Sequence, residues 1–152
     1  MIDTVSPKKR SEIMSHIKGK DTSPELMIRK GLHNLGYRYI LHDKRLAGNP
    51  DLVFPKYNLI IEVNGCFWHA HNCHIYRLPK SNKSYWAKKI KGNVSRDKEN
   101  WNALLSQGWR VLLIWECALK GKTSLEIDDV LGKAENFIHS NIAFEEIEGT
   151  NN

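Results

Sequence analysis

The hydrophobic pattern predicts two helices at the start of the chain. Each opens on a Ser-Pro pair, which places a capping hydroxyl before a proline in the first helical turn. The first helix is predicted over residues 6–17. The second is predicted over residues 23–35, where leucines recur at helical spacing before Gly36 supplies a stop. The chain therefore begins with helical structure before any strand.

Four short apolar runs, each bounded by turn residues, predict strands. They cover residues 37–41, 51–54, 59–64 and 109–116. Residues 55–58 turn the second run back on the third, so these two strands are expected to form a hairpin. Residues 65–82 have no hydrophobic period and are predicted to be a loop.

Two more helices complete the predicted fold. One covers residues 84–107, with Gly92 as a point where it can bend, and the last begins at Thr123-Ser124 and ends near His139. The order α-α-β-β-β-α-β-α predicts an α/β fold in which helices flank a mixed β-sheet. A chain of 152 residues is long enough for one domain with a buried core, expected over residues 1–144. Residues 145–152 carry three Glu and no basic residue, and we expect them to form a disordered tail.

The charge of the chain favours an anionic partner. Lys and Arg number 23 and Asp and Glu number 17, which gives a net charge of +6 and a pI near 9.2. Residues 77–98 hold eight basic residues against one acid, Asp97. Nucleic acid is the first expectation and a membrane surface the second. No apolar run approaches the ~20 residues of a membrane span, and the N-terminus lacks the apolar stretch of a signal peptide.

Residues 66–74 concentrate side chains that bind soft or borderline cations. Five of the nine are Cys or His, and thiolate with imidazole in a tetrahedral array is zinc chemistry. The expected zinc ligands, three close together and one just after a predicted strand, are Cys66, His71, Cys73 and Cys117. His69 and His74 are the alternatives for the fourth position. The odd number of cysteines argues for a reducing compartment and against disulfides, and the competing interpretation is free buried Cys with surface His.

Two acids on the predicted hairpin form a candidate Mg²⁺ site. Asp51 begins one strand and Glu62 lies on the next, so the turn between them brings the arms together. Carboxylates and a backbone carbonyl, here that of Val63, are ligands that Mg²⁺ accepts, and such an ion polarises a phosphodiester. The alternative is that Asp51 is a turn residue and Glu62 a solvated strand position, although a bare charge inside the apolar run 59–63 is costly.

Two motifs suggest a nuclease family. The pattern Pro50-Asp51…Glu62-x-Asn64 resembles the PD-(D/E)xK nuclease motif, with Asn64 in the position of the lysine. The runs Gly-Cys-Phe-Trp-His at 65–69 and Trp-Glu-Cys at 115–117 make the resemblance specific. From about residue 10 to residue 121, the chain is similar to the very short patch repair (Vsr) endonucleases. These are bacterial relatives of the PD-(D/E)xK nucleases that nick DNA beside a T:G mismatch. The resemblance implies a restriction-endonuclease-like core with a structural zinc loop.

The resemblance implies a division of labour at the catalytic centre. Asp51 would be the main Mg²⁺ ligand, together with the carbonyl of Val63. His69 would assist the attack of water on the phosphate. Glu25 would support the site from the second helix through the water shell of the ion. The same resemblance implies that the four Cys and His ligands hold a structural zinc.

Residues 62–64 depart from the pattern of the family. Glu62 restores the acid of the parent nuclease motif and adds a candidate direct ligand for Mg²⁺. Val63 keeps the backbone carbonyl but has no hydroxyl. Asn64 cannot act as an acid or a base, so His69 is the only imidazole expected in the catalytic centre.

The resemblance also implies how the DNA is opened. Phe67, Trp68 and Trp86 would wedge into the base stack beside the mismatch. Met14 and Ile17 would insert from the minor groove. A T:G wobble pair stacks poorly, so unstacking it costs less than unstacking a matched pair. The competing interpretation assigns the aromatic residues to the core of the loop and the N-terminal pair to a small core stripe.

Further DNA contacts are expected from two helices. Residues 1–20 would form an N-terminal DNA-binding helix. Lys89, Asn93 and Arg96 share one face of the long basic helix and would contact phosphates and bases. The alternative for this face is simple solvation.

Three functions are compatible with these patterns. The expected one is a Mg²⁺-dependent endonuclease that nicks one strand 5′ of the mispaired T in a T:G mismatch, which arises when 5-methylcytosine deaminates. The second is a related nuclease that cuts unmispaired DNA in restriction or defence, and the third is a non-catalytic, zinc-stabilised DNA-binding module. We expect mismatched double-stranded DNA as partner, Mg²⁺ and Zn²⁺ as cofactors, and a monomer in the bacterial cytoplasm, at the nucleoid and not at a membrane. Mismatch-repair and resynthesis proteins leave no signature in the sequence.

Overall fold

Five strands form one mixed β-sheet with helices on both of its faces in the computed structural model, which describes residues 21–150. This architecture confirms the predicted α/β fold. The helix predicted over residues 6–17 lies outside the described residues, and so do Met14 and Ile17.

The first two described helices lie within one residue of their predicted limits, and the last one begins later than predicted. The three are α1 (Ser23–Asn34), α2 (Lys83–Ser106) and α3 (Ile127–Ile138). The helix α1 begins at the predicted place, but the capping residue is Thr22 and not Ser23: the Thr22 hydroxyl accepts a hydrogen bond from the Glu25 backbone N–H, and Ser23 and Pro24 lie in the first turn. Gly36 follows its end with a φ of +101°, a conformation that glycine adopts without strain. Within residues 21–150, no helix is both long and apolar enough to span a membrane.

The last helix begins later than its predicted start at Thr123-Ser124. Glu126 is the residue that precedes its first turn. Thr123 is buried instead, and its hydroxyl donates a hydrogen bond to the carbonyl oxygen of Cys117 at 3.1 Å. Thr123 therefore does not cap the helix, although its sequence context is typical of a cap. It holds the loop that follows the fourth strand.

The sheet changes from antiparallel to parallel pairing at its third strand. The strands are β1 (Ile40–Leu41), β2 (Leu52–Phe54), β3 (Leu59–Asn64), β4 (Arg110–Trp115) and β5 (Phe144–Ile147). They lie in the sheet in chain order, with β1 to β3 antiparallel and β3 to β5 parallel. Because β3 and β4 run in the same direction, they end at one edge of the sheet. The loop 65–82 and the short 3₁₀ helix Glu116–Ala118 both leave from that edge.

The first strand is shorter than the predicted run 37–41. It keeps two residues, because Tyr37 is drawn into the core. The Tyr37 hydroxyl lies 2.9 Å from Glu135 Oε2 and 2.9 Å from His139 Nε2, which joins the end of α1 to α3. A buried hydroxyl with two polar partners satisfies its hydrogen bonding without strand pairing.

The expectation of a disordered tail from residue 145 is wrong for residues 145–147. These residues belong to β5, which pairs parallel with β4 along the edge of the sheet. Glu145 and Glu146 stay exposed while the backbone between them is paired. Acidic composition alone suggested a frayed end, but strand pairing uses backbone groups that composition does not report.

Alternate residues of the central strands build two hydrophobic layers. Leu59 and Ile61 contribute to the layer under α1 and α3, whereas Ile60 contributes to the layer that also contains Leu104 of α2. Side chains alternate along a strand, so Glu62 shares the α2 side with Ile60. The sheet therefore presents its central acid toward the long basic helix.

Candidate active site and metal cluster

Asp51 and Glu62 lie side by side at the end of the β2–β3 hairpin. Leu52 pairs with Ile61, so the next positions along the same antiparallel register are the two acids. The Val63 backbone N–H donates to Asp51 Oδ2 at 2.8 Å, and the Trp101 indole N–H of α2 donates to Glu62 Oε2 at 3.0 Å. The predicted convergence of these carboxylates is present in the fold.

Both carboxyl groups resist ionisation. Burial raises the pKa of Asp51 to about 7, against the effect of the Val63 N–H. Burial, with a smaller contribution from the charge of Asp51, raises the pKa of Glu62 to about 8. Two partly buried acids that repel each other favour a cation between them, because a cation compensates both charges at once.

We predict that Trp101→Phe raises the pKa of Glu62 above about 8. The indole N–H stabilises the ionised carboxylate, and phenylalanine removes this donor while keeping an aromatic ring in place. Titration of the Glu62 side-chain carboxyl by ¹³C NMR, in the absence of added Mg²⁺, measures the shift. An unchanged or lower pKa would contradict this view of the contact.

A cavity of about 1060 Å³ opens above the carboxylate pair. Its lining combines acids, an imidazole, basic side chains and aromatic rings, which is the composition expected for a phosphodiester site. Those that matter most here are Asp51, Glu62, Asn64, His69, Lys89 and Arg96. Asn64 is 6% exposed, and among the described residues its Nδ2 atom has no hydrogen-bond partner.

His69 is held by a partner that the sequence did not identify. Its Nδ1 atom forms a short contact with Asp97 Oδ2 on α2. In the sequence, Asp97 stood out only as the one acid of the basic segment 77–98, and nothing there indicated its contact with His69. A carboxylate on one ring nitrogen fixes the orientation of the ring and leaves the other nitrogen, Nε2, for proton exchange.

Glu25 lies behind Asp51 in a network of its own. It is 2% exposed and accepts from the Asp21 backbone N–H and from Arg29 Nη1, each at 3.1 Å. His42 Nε2 lies 2.9 Å from Glu25 Oε2. The ligand atoms of Asp21, Glu25 and His42 lie within 4.8 Å of one another. Arg29 contacts both of the acids, so a guanidinium already supplies positive charge there.

Cys66, His71, Cys73 and Cys117 form a second cluster at the ends of β3 and β4. Their ligand atoms all lie within 4.8 Å of one another. His71 Nδ1 is 3.6 Å from the sulfur of Cys66 and 3.6 Å from that of Cys117. None of the three cysteines, all of which are described, forms a disulfide. The predicted set of four, including Cys117, is therefore brought together.

The donor chemistry of this cluster fits a zinc ion. Three sulfurs and one imidazole nitrogen match a closed structural site. Burial raises the pKa of the Cys66 and Cys117 thiols, and a bound metal ion would offset the cost of ionising these sulfurs. The alternative fourth ligands are engaged elsewhere, since His69 contacts Asp97 and His74 Nδ1 lies 3.5 Å from Thr123 Oγ1.

Three aromatic residues predicted as DNA wedges form one group. The ring centroids of Phe67 and Trp68 are 5.0 Å apart, and those of Trp86 lie 5.7 Å and 5.9 Å from them. Phe67 and Trp68 are partly exposed, whereas Trp86 is only 4% exposed. Trp86 thus supports the other two rings in this conformation, and its neighbour Tyr85 is 58% exposed.

One face of α2 contacts several parts of the site. Asn93, Asp97 and Trp101 are spaced four residues apart, so they lie on one side of the helix. Asn93 Nδ2 donates to the Trp68 carbonyl oxygen at 3.1 Å, and Arg96 contacts Asn93 Oδ1. The same face contacts His69 through Asp97 and Glu62 through Trp101. It therefore holds the loop that carries Trp68, the imidazole of His69 and the carboxylate of Glu62.

Comparison with known proteins gives consistent matches. A family model described as DNA mismatch endonuclease Vsr matches residues 2–75. The type II nicking enzyme V.XorIIP of Xanthomonas oryzae pv. oryzae is 46% identical over 126 residues, which cover 83% of this chain and 93% of that protein. The type II nicking enzyme V.NmeAIP of Neisseria meningitidis is 43% identical over 122 residues, 80% of this chain and 87% of that protein. The DNA mismatch endonuclease Vsr of Escherichia coli is 36% identical over 138 residues, 91% of this chain and 88% of that protein.

These similarities, with paired acids and an imidazole on one cavity, define the class of the protein as a DNA endonuclease. The interpretation as a non-catalytic DNA-binding module is thereby set aside. The chain belongs to the Vsr family.

Proposed function

We propose that this protein is a Mg²⁺-dependent endonuclease that nicks one DNA strand 5′ of the mispaired thymine in a T:G mismatch. The observation that carries the proposal is the convergence of Asp51, Glu62 and the His69–Asp97 pair on one cavity. A mismatch as substrate is supported by the Escherichia coli relative, which is named a DNA mismatch endonuclease. The proposed setting is the bacterial cytoplasm, at the nucleoid, where the protein acts as a monomer on double-stranded DNA.

Asp51, Glu62 and the Val63 carbonyl are the residues proposed to hold the Mg²⁺. Oxygen ligands suit this hard cation, and the resistance of both acids to ionisation supports a need for positive charge between them. When bound, Mg²⁺ polarises the phosphodiester and lowers the pKa of a coordinated water. Glu25, whose charge is near enough to raise the pKa of Asp51, is proposed to act through the water shell of the ion. The Trp101 indole N–H orients Glu62.

His69 and Asn64 are proposed to act on the substrate itself. His69 Nε2 takes the proton of the attacking water, and Asp97 on Nδ1 stabilises the imidazolium that results. Asn64 cannot transfer a proton, but its buried Nδ2 has no hydrogen-bond partner within residues 21–150, which is costly unless a ligand satisfies it. A phosphate oxygen of the scissile group is an acceptor of the right chemistry, so Asn64 serves as a hydrogen-bond donor.

The aromatic loop is proposed to open the duplex. Phe67 and Trp68 enter the base stack, with Trp86 as the ring that supports them. Each stacked base returns ~1–3 kcal/mol, which offsets the cost of separating a poorly stacked T:G pair. Insertion of Met14 and Ile17 from the minor groove stays a prediction, and so does the helix expected to carry them, because both residues lie outside the described part of the chain.

A structural zinc held by the four Cys and His side chains is proposed to keep this loop in place. The cluster joins the loop after β3 to the end of β4, and residues 67–69 lie between its first two ligands. A bound zinc would therefore fix the positions of Phe67 and Trp68, the proposed wedge, and of His69, the proposed general base.

A nicking assay on matched substrates tests the proposal. Duplexes that differ only in a T:G or a C:G pair are incubated with the protein and Mg²⁺, and strand cleavage is resolved on a denaturing gel. We expect cleavage of the T strand of the T:G duplex and little cleavage of the C:G duplex. No cleavage of either, or equal cleavage of both, would remove the mismatch assignment.

Lys89→Ala is expected to weaken DNA binding with little dependence on sequence. Lys89 is exposed on α2 and lines the cavity, where its ammonium is placed to contact a phosphate. The slope of log binding constant against log salt should fall by about 1. Fluorescence anisotropy over a salt series measures this, with Lys133→Ala on the exposed surface of α3 as the matched control. An unchanged salt slope would exclude Lys89 from the interface.

The second candidate is a related nuclease that cuts unmispaired DNA in restriction or defence. The observation that favours it is Glu62, which restores the two-acid arrangement of the parent nuclease motif. Equal cleavage of the T:G and C:G duplexes, at a defined sequence and abolished without Mg²⁺, is the outcome that would support this function instead.

A further inference from the structure

The segment after β5 runs across the Cys and His cluster. The Gly149 N–H donates to the sulfur of Cys117 at 3.4 Å, and the Thr150 N–H donates to the Thr123 carbonyl oxygen at 2.9 Å. Glu148 Oε2 lies 3.7 Å from His71 Nε2. The last described residues thus contact two of the four expected ligands and the loop that carries one of them.

Gly149 is placed where only glycine has room. A Cβ at this position would lie 2.5 Å from the Cys117 carbonyl oxygen and 2.6 Å from the Thr123 carbonyl oxygen. Both atoms belong to the backbone, so neither can move aside as a flexible side chain would. The absence of a side chain is what lets the Gly149 N–H approach the sulfur of Cys117.

His71 presents its two ring nitrogens to different partners. Nδ1 faces the sulfurs of Cys66 and Cys117, whereas Nε2 faces the carboxylate of Glu148. The ring also stacks on Trp115, with centroids 4.2 Å apart and planes 14° apart. A histidine that binds metal through one nitrogen commonly donates its other N–H to a carboxylate, which fixes the tautomer and the ring orientation.

We propose that Glu148 and Gly149 hold the zinc ligands from outside, so that the C-terminal segment sets how tightly the metal is retained. Glu148 orients the His71 ring with Nδ1 toward the ion. The Gly149 N–H donates to the Cys117 sulfur and holds that sulfur in position beside the other ligands. The inference rests on the proposed zinc site and extends it to a segment for which the sequence predicted no role.

Zinc retention by the full chain tests this proposal. Zinc-loaded wild type, Glu148→Gln and Gly149→Ala are mixed with a chromophoric chelator, and zinc transfer is followed by absorbance. We expect each variant to hold zinc about 10-fold less tightly than wild type. Glu145→Gln, which changes an exposed acid of β5 away from these contacts, should retain zinc as wild type does.

A second measurement separates weak retention from loss of fold. Co²⁺ replaces Zn²⁺, and its visible and sulfur-to-metal absorption bands report how the ligands are arranged. Glu148→Gln should keep a tetrahedral spectrum with altered intensity and a native circular dichroism spectrum. Zinc retention equal to wild type in both Glu148→Gln and Gly149→Ala would overturn the proposal, and so would a wild-type protein that binds no zinc. A wild type that retains zinc but does not nick DNA would remove the proposed function and leave this inference standing.

Discussion

Asp51→Asn is expected to lower the nicking rate in Mg²⁺ by on the order of a thousandfold. The substitution removes the carboxylate proposed as the main ligand of the ion, while an amide oxygen can still accept the Val63 N–H. Single-turnover nicking of a T:G duplex measures the loss, and binding of the same duplex should change little. Asp128→Asn, an exposed acid in the first turn of α3, is the matched control and should nick normally. A variant that keeps more than a tenth of the activity would exclude Asp51 as the main ligand.

The same variant is expected to be more stable than wild type when no Mg²⁺ is added. The pKa of Asp51 is about 7 in the folded protein and near 3.8 in the unfolded chain. Between pH 3.8 and about pH 7, Asp51 keeps its proton in the folded state and loses it in the unfolded state. The free energy of unfolding of wild type therefore falls as the pH rises through this range. Asparagine does not titrate, so we expect a gain of about 2 kcal/mol at pH 8, less than the full pKa shift would give because water partly screens the charge.

Urea unfolding at pH 5 and pH 8 measures this difference. The advantage of Asp51→Asn should be smaller at pH 5 than at pH 8, because the penalty on wild type begins where the unfolded chain loses the Asp51 proton, near pH 3.8, and grows until the pH passes about 7. Added Mg²⁺ should narrow the gap by stabilising wild type alone. A variant that is less stable than wild type at pH 8 would show that the carboxylate supports the fold instead of straining it.

Cys66→Ser is expected to abolish zinc binding and to destabilise the protein by about 4 kcal/mol. Cys66 is completely buried, and its sulfur lies 3.6 Å from His71 Nδ1. Without the metal, the loop that carries this residue loses its attachment to the end of β4. Nicking should be lost with it, because Phe67 and Trp68, the proposed wedge, lie on the same loop as His69.

Metal content by mass spectrometry and urea unfolding check this expectation together. His74→Gln is the control, since His74 lies beside the cluster and contacts Thr123 without being one of the four expected ligands. It should retain one zinc per chain and near-normal stability. Equal zinc content in Cys66→Ser and wild type would contradict the proposed ligand set.

The features that the sequence predicted share a physical origin in local pattern. Residues 59–64 form β3 with the predicted limits, because a short apolar run between turn residues has few other structures available. The clustering of Cys66, His71, Cys73 and Cys117 was predictable because three of them crowd one irregular loop and Cys117 directly follows an apolar strand. The position of the helix start at Ser23-Pro24 was predictable from local start signals, although the capping hydroxyl belongs to Thr22 and not to Ser23.

The features that the sequence did not predict depend on contacts between distant segments. Asp97 pairs with His69 only because α2 crosses the end of β3, and no local pattern specifies that crossing. Trp101 reaches Glu62 for the same reason. The pairing of β5 depends on an open edge of β4, which the local sequence does not report. Its acidic side chains had suggested a disordered tail instead of a strand.

The four-residue spacing along α2 couples three contacts of the site to the position of one helix. If the helix turns or slides, Asn93, Asp97 and Trp101 move together. Their contacts with the Trp68 carbonyl, with His69 and with Glu62 would then change at the same time. One residue inserted between Asn93 and Asp97 would rotate the remainder by about 100° and uncouple the three. The length of this helix between those positions is therefore as constrained as the identity of the residues that it carries.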